Sequence, residues 1–194
     1  AGIILDHEAG TVTKTDPDVR IDLSAIAKGF GVDLVAEALE RLAFDRYLVE
    51  VGGELRAGAT RRDGTAWNVG VERPEPQTRR LHAVVQLSHG AIATSGDYRQ
   101  FRDAGERRLA HLIDPHTGSA IPFTGASVSV VDSSAATADA WATALSVAGF
   151  GNGYELAVRQ GVAALFLTTD GDTVHSRATP AFLLRVSSFT EAER

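Results

Sequence analysis

A carboxylate and a hydroxyl lie four residues apart in an alanine-rich stretch of this chain. The stretch, residues 133–145, contains Asp139 and Thr143 but no glycine or proline, so its composition predicts a buried helix. Side chains at this spacing project from the same helical face, one turn apart. Together they offer hard oxygen ligands, which suit Mg²⁺ better than Zn²⁺. The pair also fits an ordinary helix, with Asp139 stabilised by the helix dipole and Thr143 bonded to a backbone carbonyl.

Polar residues elsewhere in the chain also allow two interpretations each. His111 and Asp114 fall within residues 111–118, where the imidazole could act as a general base at neutral pH or belong to an exposed turn. Lys28 could hold a phosphate or be a solvated lysine. Residues 90–98 combine small side chains, hydroxyls and glycine, which fits an anion-binding loop or a capped turn.

Composition excludes several classes of protein. The 194 residues are enough for one compact domain or two small ones. The net charge of -6 and the lack of a basic stripe argue against a nucleic-acid surface. Without cysteine the chain has no disulfides and no thiolate chemistry. No apolar run approaches the roughly 20 residues that span a bilayer. Because the chain starts with Ala-Gly and contains no methionine, we expect a processed or truncated product.

Hydrophobic periodicity and turn residues predict strands in runs with two main helices. This pattern is typical of an α+β fold with mainly antiparallel sheet. The helix that carries Asp139 is expected to start at Ser133, Ser134 or Thr137 and to end at Gly149. Residues 89–123 are expected to be irregular, and a short helix is expected at 153–160. Residues 3–5 and 11–13 are expected to form a hairpin. Further strands are expected at 19–23, 47–51, around 55, and at 67–71, 84–87, 128–131, 163–168, 173–175 and 182–186.

The first main helix is expected at residues 25–42, with Ser24 as its N-cap. Gly29 and Gly31 each weaken such a helix by roughly 1 kcal/mol relative to alanine. We therefore expect another segment to pack closely against its backbone there. The apolar residues that fall at helical spacing are Ile26, Phe30, Leu34, Val35, Ala38, Leu39 and Leu42.

Five segments are more informative together, in chain order, than each is alone: residues 22–29, 51–54, 93–98, 111–118 and 138–145. Together they resemble the motifs of the ApbE flavin transferases, which attach FMN to proteins. The resemblance implies that residues 1–194 are the C-terminal portion of an ApbE-like flavin transferase domain. Such a protein carries a further N-terminal part of roughly domain size, which supplies other flavin contacts. Glu54 stands where an aspartate is frequent in the family, and Ser24-Ala25 stands where many members of the family have two glycines.

The resemblance also implies a site and a reaction. FMN would pass from FAD to a Thr or Ser hydroxyl of an acceptor flavoprotein, and AMP would leave. Alternatives are a Mg²⁺-dependent FAD pyrophosphatase and a non-catalytic FAD-binding protein. The family further implies a bacterial protein that is extracytoplasmic or membrane-anchored through a segment outside this chain. The residues assigned by resemblance are Ala25, Asp139 and Thr143 for Mg²⁺, Asp22, Lys28 and Ile113 for FAD, and His111 as the base.

Overall fold

The computed structural model describes residues 2–75, 79–98, 101–104, 107–171, 173–185 and 189–191. Their helices are α1 (Ala27–Arg41), α2 (Ala135–Ala148), α3 (Phe150–Arg159) and α4 (Pro180–Arg185). The first seven strands are β1 (Ile3–Asp6), β2 (Thr11–Lys14), β3 (Leu48–Val51), β4 (Glu54–Ala57), β5 (Trp67–Glu72), β6 (Leu81–Leu87) and β7 (Gly90–Gly96). The others are β8 (Phe101–Ala104), β9 (Arg107–Asp114), β10 (Ser119–Pro122), β11 (Ala126–Asp132), β12 (Ala163–Asp170), β13 (Thr173–Ala178) and β14 (Phe189–Glu191).

The strands form antiparallel sheets, as the sequence predicts. The largest sheet has the strand order β13-β12-β11-β7-β4-β3, and a second has the order β14-β6-β5. Strands β10-β9-β8 form a third sheet, and β1 and β2 form the expected hairpin. Every strand pair in the described part of the chain is antiparallel. The α+β prediction is therefore confirmed.

The six-stranded sheet is buried on both faces, which produces a layered core. Neighbouring strand residues point to opposite faces. Ile92 and Val131 accordingly pack towards β5, β6 and α4, whereas Ala93 and Val130 pack towards α2 and α3. Helix α1 covers part of the sheet beside α2, through a cluster that includes Val32 and Ala135. The sheet therefore holds the N-terminal turns of α1 and α2 close together.

Helix α1 buries a different face from the one that its apolar residues suggest. Its buried residues are Gly29, Val32, Asp33 and Ala36, whereas Phe30 and Leu34 are exposed. Part of the large apolar stripe of this helix is therefore exposed. The reason is steric, because α2 approaches α1 so closely at Gly29 that large side chains do not fit between the two helices. Most of the exposed large apolar side chains among the described residues precede residue 45.

The segment before α1 also differs from its prediction. Residues 19–23 form no strand, and a turn at 24–26 leads into the helix. Asp22 accepts hydrogen bonds from the amide and the hydroxyl of Ser24, which closes a local turn in place of a ladder. The Ser24 hydroxyl is therefore engaged elsewhere, and the N-cap position of α1 is Ile26, without a side-chain cap.

Two further predictions fail, one because of tertiary contacts and one because of a local helix cap. The supposedly irregular residues 89–123 contain β7 to β10. Within them, β7 lies inside the large sheet, between β11 and β4, so residues 90–96 form neither an anion-binding loop nor a capped turn. Residues 180–185 are helix α4 instead of a strand. The Thr179 hydroxyl accepts a hydrogen bond from the Phe182 amide, and proline favours the first helical position.

The predicted α2 is confirmed, including its ends. Ser134 is the N-cap, and its hydroxyl accepts a hydrogen bond from the Thr137 amide. Gly149 ends the helix with a φ of 81°, a conformation that glycine adopts without strain. Within the described ranges, no helix is both long and apolar enough to cross a bilayer.

Candidate active site

Asp139 joins the first turns of α1 and α2. Its side chain is buried on α2, and Oδ2 accepts a hydrogen bond of 3.0 Å from the backbone amide of Gly29. The ammonium of Lys28 lies 3.2 Å from Oδ1 and 3.5 Å from Oδ2 of the same carboxylate. Two segments that are distant in sequence are therefore joined by one buried charge.

Lys28 also reaches a second carboxylate, that of Glu54 at the start of β4. Its Nζ lies 3.1 Å from Glu54 Oε1. Burial alone would lower the pKa of Lys28, but Glu54 and Asp139 together outweigh burial and raise it. Burial raises the pKa of Glu54, and Lys28 opposes that rise only in part. The ammonium is thus a firmly charged group held between two carboxylates.

Gly29 allows the two helices to meet at this point. A Cβ atom built on Gly29 would lie 2.2 Å from the carbonyl oxygen of Ala135 and 2.8 Å from Cα of Ala136. Both are backbone atoms at the start of α2, so neither can move without shifting the helix. The expected close packing against α1 is confirmed at Gly29. At Gly31 it is wrong, because an added Cβ would meet nothing within 4 Å.

Replacing Gly29 by alanine is expected to destabilise the fold, while the same change at Gly31 is not. An added methyl group in a filled contact costs about 1–3 kcal/mol, and here the contact is with backbone. Gly31→Ala should instead stabilise the protein by up to about 1 kcal/mol through helix propensity. Urea unfolding of both variants measures the difference. Equal effects of the two substitutions would contradict the close approach at Gly29.

Asp33, one turn after Gly29, fixes the N-terminus of α2. Its Oδ1 accepts a hydrogen bond of 3.0 Å from the Ala135 amide, and its Oδ2 accepts one of 3.0 Å from the Ala136 amide. The Ser134 hydroxyl donates to Oδ2, and Arg56 pairs with Oδ1 at 2.8 Å. The first turn of α2 has no acidic residue of its own, so Asp33 supplies the negative charge that a helix N-terminus favours.

Asp33→Ala is expected to lower the free energy of unfolding by about 3 kcal/mol, because it leaves Arg56, one buried amide and one part-buried amide without this acceptor. The matched control is Glu37→Ala. Glu37 is exposed on the same helix and pairs weakly with Arg41, so its loss should cost less than about 0.5 kcal/mol. Urea unfolding compares the two variants. Similar losses for both would show that Asp33 contributes no more than a surface charge.

The stabilisation by Asp33 should also depend on pH. Burial alone would raise the pKa of Asp33, but the hydrogen bonds from the Ala136 and Ala135 amides and the contacts with Arg56 and Ser134 outweigh burial and lower it. A lowered pKa in the folded state gives stability that is complete above the unfolded value, 3.8, and is lost as the pH falls below it. The difference in unfolding free energy between the native chain and Asp33→Asn should therefore shrink below about pH 4. A difference that is constant from pH 6 to pH 2 would contradict the lowered pKa.

Three other predicted metal and FAD residues are near this junction in sequence. Thr143 is half-buried on α2, one turn after Asp139. Ala25 lies in the turn at 24–26, four residues before Gly29. Asp22 is exposed, and the hydroxyl and amide of Ser24 lower its pKa. These positions are compatible with the predicted roles and leave them predictions.

His111 and Ile113 lie on β9, a strand that contacts α2. They are two residues apart, so they share one face of the strand, and both are exposed. Ala110 points to the opposite face and is buried. The predicted base and the predicted flavin contact are therefore side by side on the strand next to the helix that carries Asp139.

Comparison with known proteins identifies the family. The model of the ApbE family matches residues 2–166. The chain belongs to the ApbE family. The FAD:protein FMN transferase of Vibrio cholerae is 38% identical to it over 178 residues, covering 92% of this chain and 53% of the relative. The corresponding protein of Haemophilus influenzae is 41% identical over 179 residues, covering 91% of this chain and 51% of the relative.

Solved structures agree with the fold of this ApbE chain. The flavin transferase ApbE from Vibrio cholerae superposes with a TM-score of 0.79 at 36% identity, covering 93% of this chain and 57% of that one. The apo flavinyl transferase ApbE from Pseudomonas stutzeri superposes with a TM-score of 0.81 at 34% identity, covering 96% of this chain and 57% of that one. The predicted resemblance and ApbE-like fold are confirmed. The chain spans about half the length of the curated relatives it matches.

The donor set of the ApbE chain fits a hard cation. Among the described residues, no three His, Cys, Asp or Glu side chains cluster around a common point. Asp139 instead offers a buried carboxylate that already attracts the cationic Lys28, with the Thr143 hydroxyl one turn away. Oxygen ligands completed by water and phosphate suit Mg²⁺.

Sequence reasoning missed the roles of Asp33 and Glu54. Asp33 interrupts the small-residue face of α1, at a position where only a paired carboxylate is stable when buried. Glu54 follows Gly52 and Gly53 within a matching segment, but nothing in the local sequence indicates that it is buried. Asp33 required the tertiary structure because the apolar residues of α1 suggest a different buried face, and the burial of Glu54 required it as well.

Proposed function

We propose that this chain is part of a Mg²⁺-dependent FAD:protein FMN transferase. The enzyme would transfer FMN from FAD to a Thr or Ser hydroxyl of an acceptor protein. The observation that carries the proposal is the junction of Lys28, Gly29 and Asp139, because it unites two family segments around one buried carboxylate. The relatives named FAD:protein FMN transferase support the choice of reaction.

Different residues of the chain would bind Mg²⁺ and FAD. Asp139, Thr143 and the main-chain oxygen of Ala25 would hold Mg²⁺, which offsets negative charge on the pyrophosphate. Lys28, half-exposed at the junction, would add a second positive charge beside the phosphates. Asp22 and Ile113 are exposed and would contact the rest of FAD.

His111 would act as the general base. Its ring would take the proton of the acceptor hydroxyl, and the oxygen would attack the phosphorus of the FMN moiety. A new phosphoester bond forms as the bond from that phosphorus to the bridging oxygen breaks, and AMP leaves with that oxygen. The exposure of His111 leaves room for an acceptor segment to approach.

We further propose that the chain is the C-terminal portion of the transferase domain. It matches about half of each relative, so the remaining flavin contacts would come from the other half. By the same family argument, the bacterial protein would be extracytoplasmic or membrane-anchored through a segment outside this chain.

Incubation with FAD and Mg²⁺, with and without an acceptor protein, tests the reaction. The chain is assayed alone and joined to the unmatched half of a relative. A covalently flavinylated acceptor together with AMP supports the transferase. FMN and AMP released equally with and without acceptor would identify a pyrophosphatase instead. Unchanged FAD that stays bound in both polypeptides would indicate a non-catalytic flavin-binding protein and overturn the proposal.

A further inference from the structure

Glu54 is a buried carboxylate that contacts the candidate site through Lys28. It is 2% exposed and is one of the largest fully buried side chains among the described residues. Its Oε1 pairs with the Lys28 ammonium, and its Oε2 has no hydrogen-bond partner within the described part of the chain. A buried charge is costly unless it is paired, so Lys28 is its essential counter-ion.

The ammonium of Lys28 lies between two carboxylates and is still open to solvent. Glu54 Oε1 is 3.1 Å away and Asp139 Oδ1 is 3.2 Å away, while 45% of the Lys28 side chain is exposed. An ammonium has three N–H donors. Two are directed to the carboxylates, which leaves one for a ligand that approaches from the exposed side.

The turn that precedes Glu54 also supports the stem of Lys28. Gly52 has a φ of 63°, and a Cβ built there would lie 3.1 Å from Lys28 Cδ. The Lys28 stem therefore packs against Gly52 while its head pairs with Glu54, two residues further along. One short turn thus fixes both the path and the end of this side chain.

A cation bound at Asp139 would compete with Lys28 for the same carboxylate. Two positive charges on one carboxylate repel each other, so Mg²⁺ at Asp139 would weaken the attraction between that carboxylate and the Lys28 ammonium. Without a second partner, the long lysine side chain would then return to its solvated, mobile state. Glu54 is the second partner that the structure provides.

We propose that Glu54 is a positioning residue that retains Lys28 at the site when Asp139 binds the metal. This inference rests on the proposed function. The ammonium stays attached to Glu54 and directs its free donor towards the phosphates of the ligand. Lys28 is thereby converted from a partner of Asp139 into a phosphate-binding group, and Glu54 acts through Lys28 without touching the ligand.

Side-chain NMR tests the retention in the ligand-free protein. The sequence contains two lysines, Lys14 and Lys28, so isotope-labelled lysine gives two assignable ε-methylene signals. Asp139→Asn removes the charge of Asp139, as metal binding would neutralise it, while keeping an acceptor for the Gly29 amide. We expect the Lys28 ε-methylene to remain ordered in Asp139→Asn and to become mobile when Glu54→Gln is added. Lys14, exposed on β2, should not change.

Either of two results would overturn the inference. The first is a Lys28 ε-methylene that is already fully mobile in Asp139→Asn, because Glu54 would then not hold it. The second is one that stays ordered in the double variant, because something else would then hold it. The NMR experiment needs no metal, so it tests the role of Glu54 even if the proposed function fails.

Ligand binding tests the consequence for the site. With Mg²⁺ and ADP as the probe, Glu54→Gln is expected to weaken binding about tenfold, the effect typical of a group that orients a binding residue. In a Lys28→Met background the same change should have no further effect, and Glu54→Asp should recover most of the affinity. Thermal unfolding of each variant monitors the fold. Additive losses in the double variant would overturn a role through Lys28, whereas no Mg²⁺-dependent binding by the native chain would overturn the proposed function alone.

Discussion

Asp139→Asn is expected to weaken Mg²⁺ binding by at least about a hundredfold and to abolish FMN transfer. Asp139 is the only charged side chain of the proposed ligand set. Two unit charges 4 Å apart near a protein surface interact by about 4 kcal/mol. A divalent ion that is closer to the carboxylate would lose more interaction energy when the carboxylate is removed. Calorimetric titration with Mg²⁺ measures the affinity, and covalent flavinylation of the acceptor measures the transfer.

Asparagine is preferred to alanine at this position because the structure gives Asp139 a second role. Its carboxylate accepts the Gly29 amide, and the asparagine side-chain oxygen can still do so. Asp45→Asn is the matched control, since Asp45 is exposed and its substitution changes the net charge equally. Undiminished Mg²⁺ affinity in a folded Asp139→Asn variant would remove Asp139 from the metal site.

His111→Ala is expected to slow FMN transfer by about 10²–10⁴-fold, the usual contribution of a positioned base. The affinity for FAD should change much less, because the proton is taken from the acceptor hydroxyl in the transition state. Initial rates of acceptor flavinylation and calorimetric FAD binding measure the two quantities. His111 lies on the same face of β9 as Ile113, and this strand contacts α2, which is the geometric basis for this expectation.

His116→Ala provides the matched control for His111. His116 is exposed in the turn after β9 and pairs with Asp114, so its loss should leave the transfer rate nearly unchanged. If FAD binding collapses together with the rate in His111→Ala, the imidazole binds FAD or supports the structure. If both histidine variants keep the native rate, the base lies elsewhere.

The local sequence was most informative where a segment carries its own start and stop signals. Residues 133–149 predicted α2 correctly, because Ser134 caps the helix and Gly149 ends it through local backbone chemistry. The hairpin of β1 and β2 follows equally from a polar turn between two short apolar runs. Such elements depend on contacts between near neighbours in the chain.

Prediction failed where partners distant in sequence decide the structure. Residues 90–96 contain small and polar side chains, yet they form the strand β7 because β4 and β11 supply hydrogen-bonding partners on both sides. Residues 19–23 have strand-like composition but form no strand, and Asp22 closes a local turn with Ser24. Strand formation requires a neighbouring edge, which composition alone cannot reveal.

The sequence by itself determined the α+β class, the two main helices and, through five ordered segments, the ApbE family. It also placed Asp139 and Thr143 on one helical face, because that relation depends only on the helical repeat. The tertiary structure alone decided which face of α1 is buried, since the close approach at Gly29 selects small residues. It alone brought Lys28, Glu54 and Asp139 together, because a contact between three separate elements depends on packing that no local pattern records.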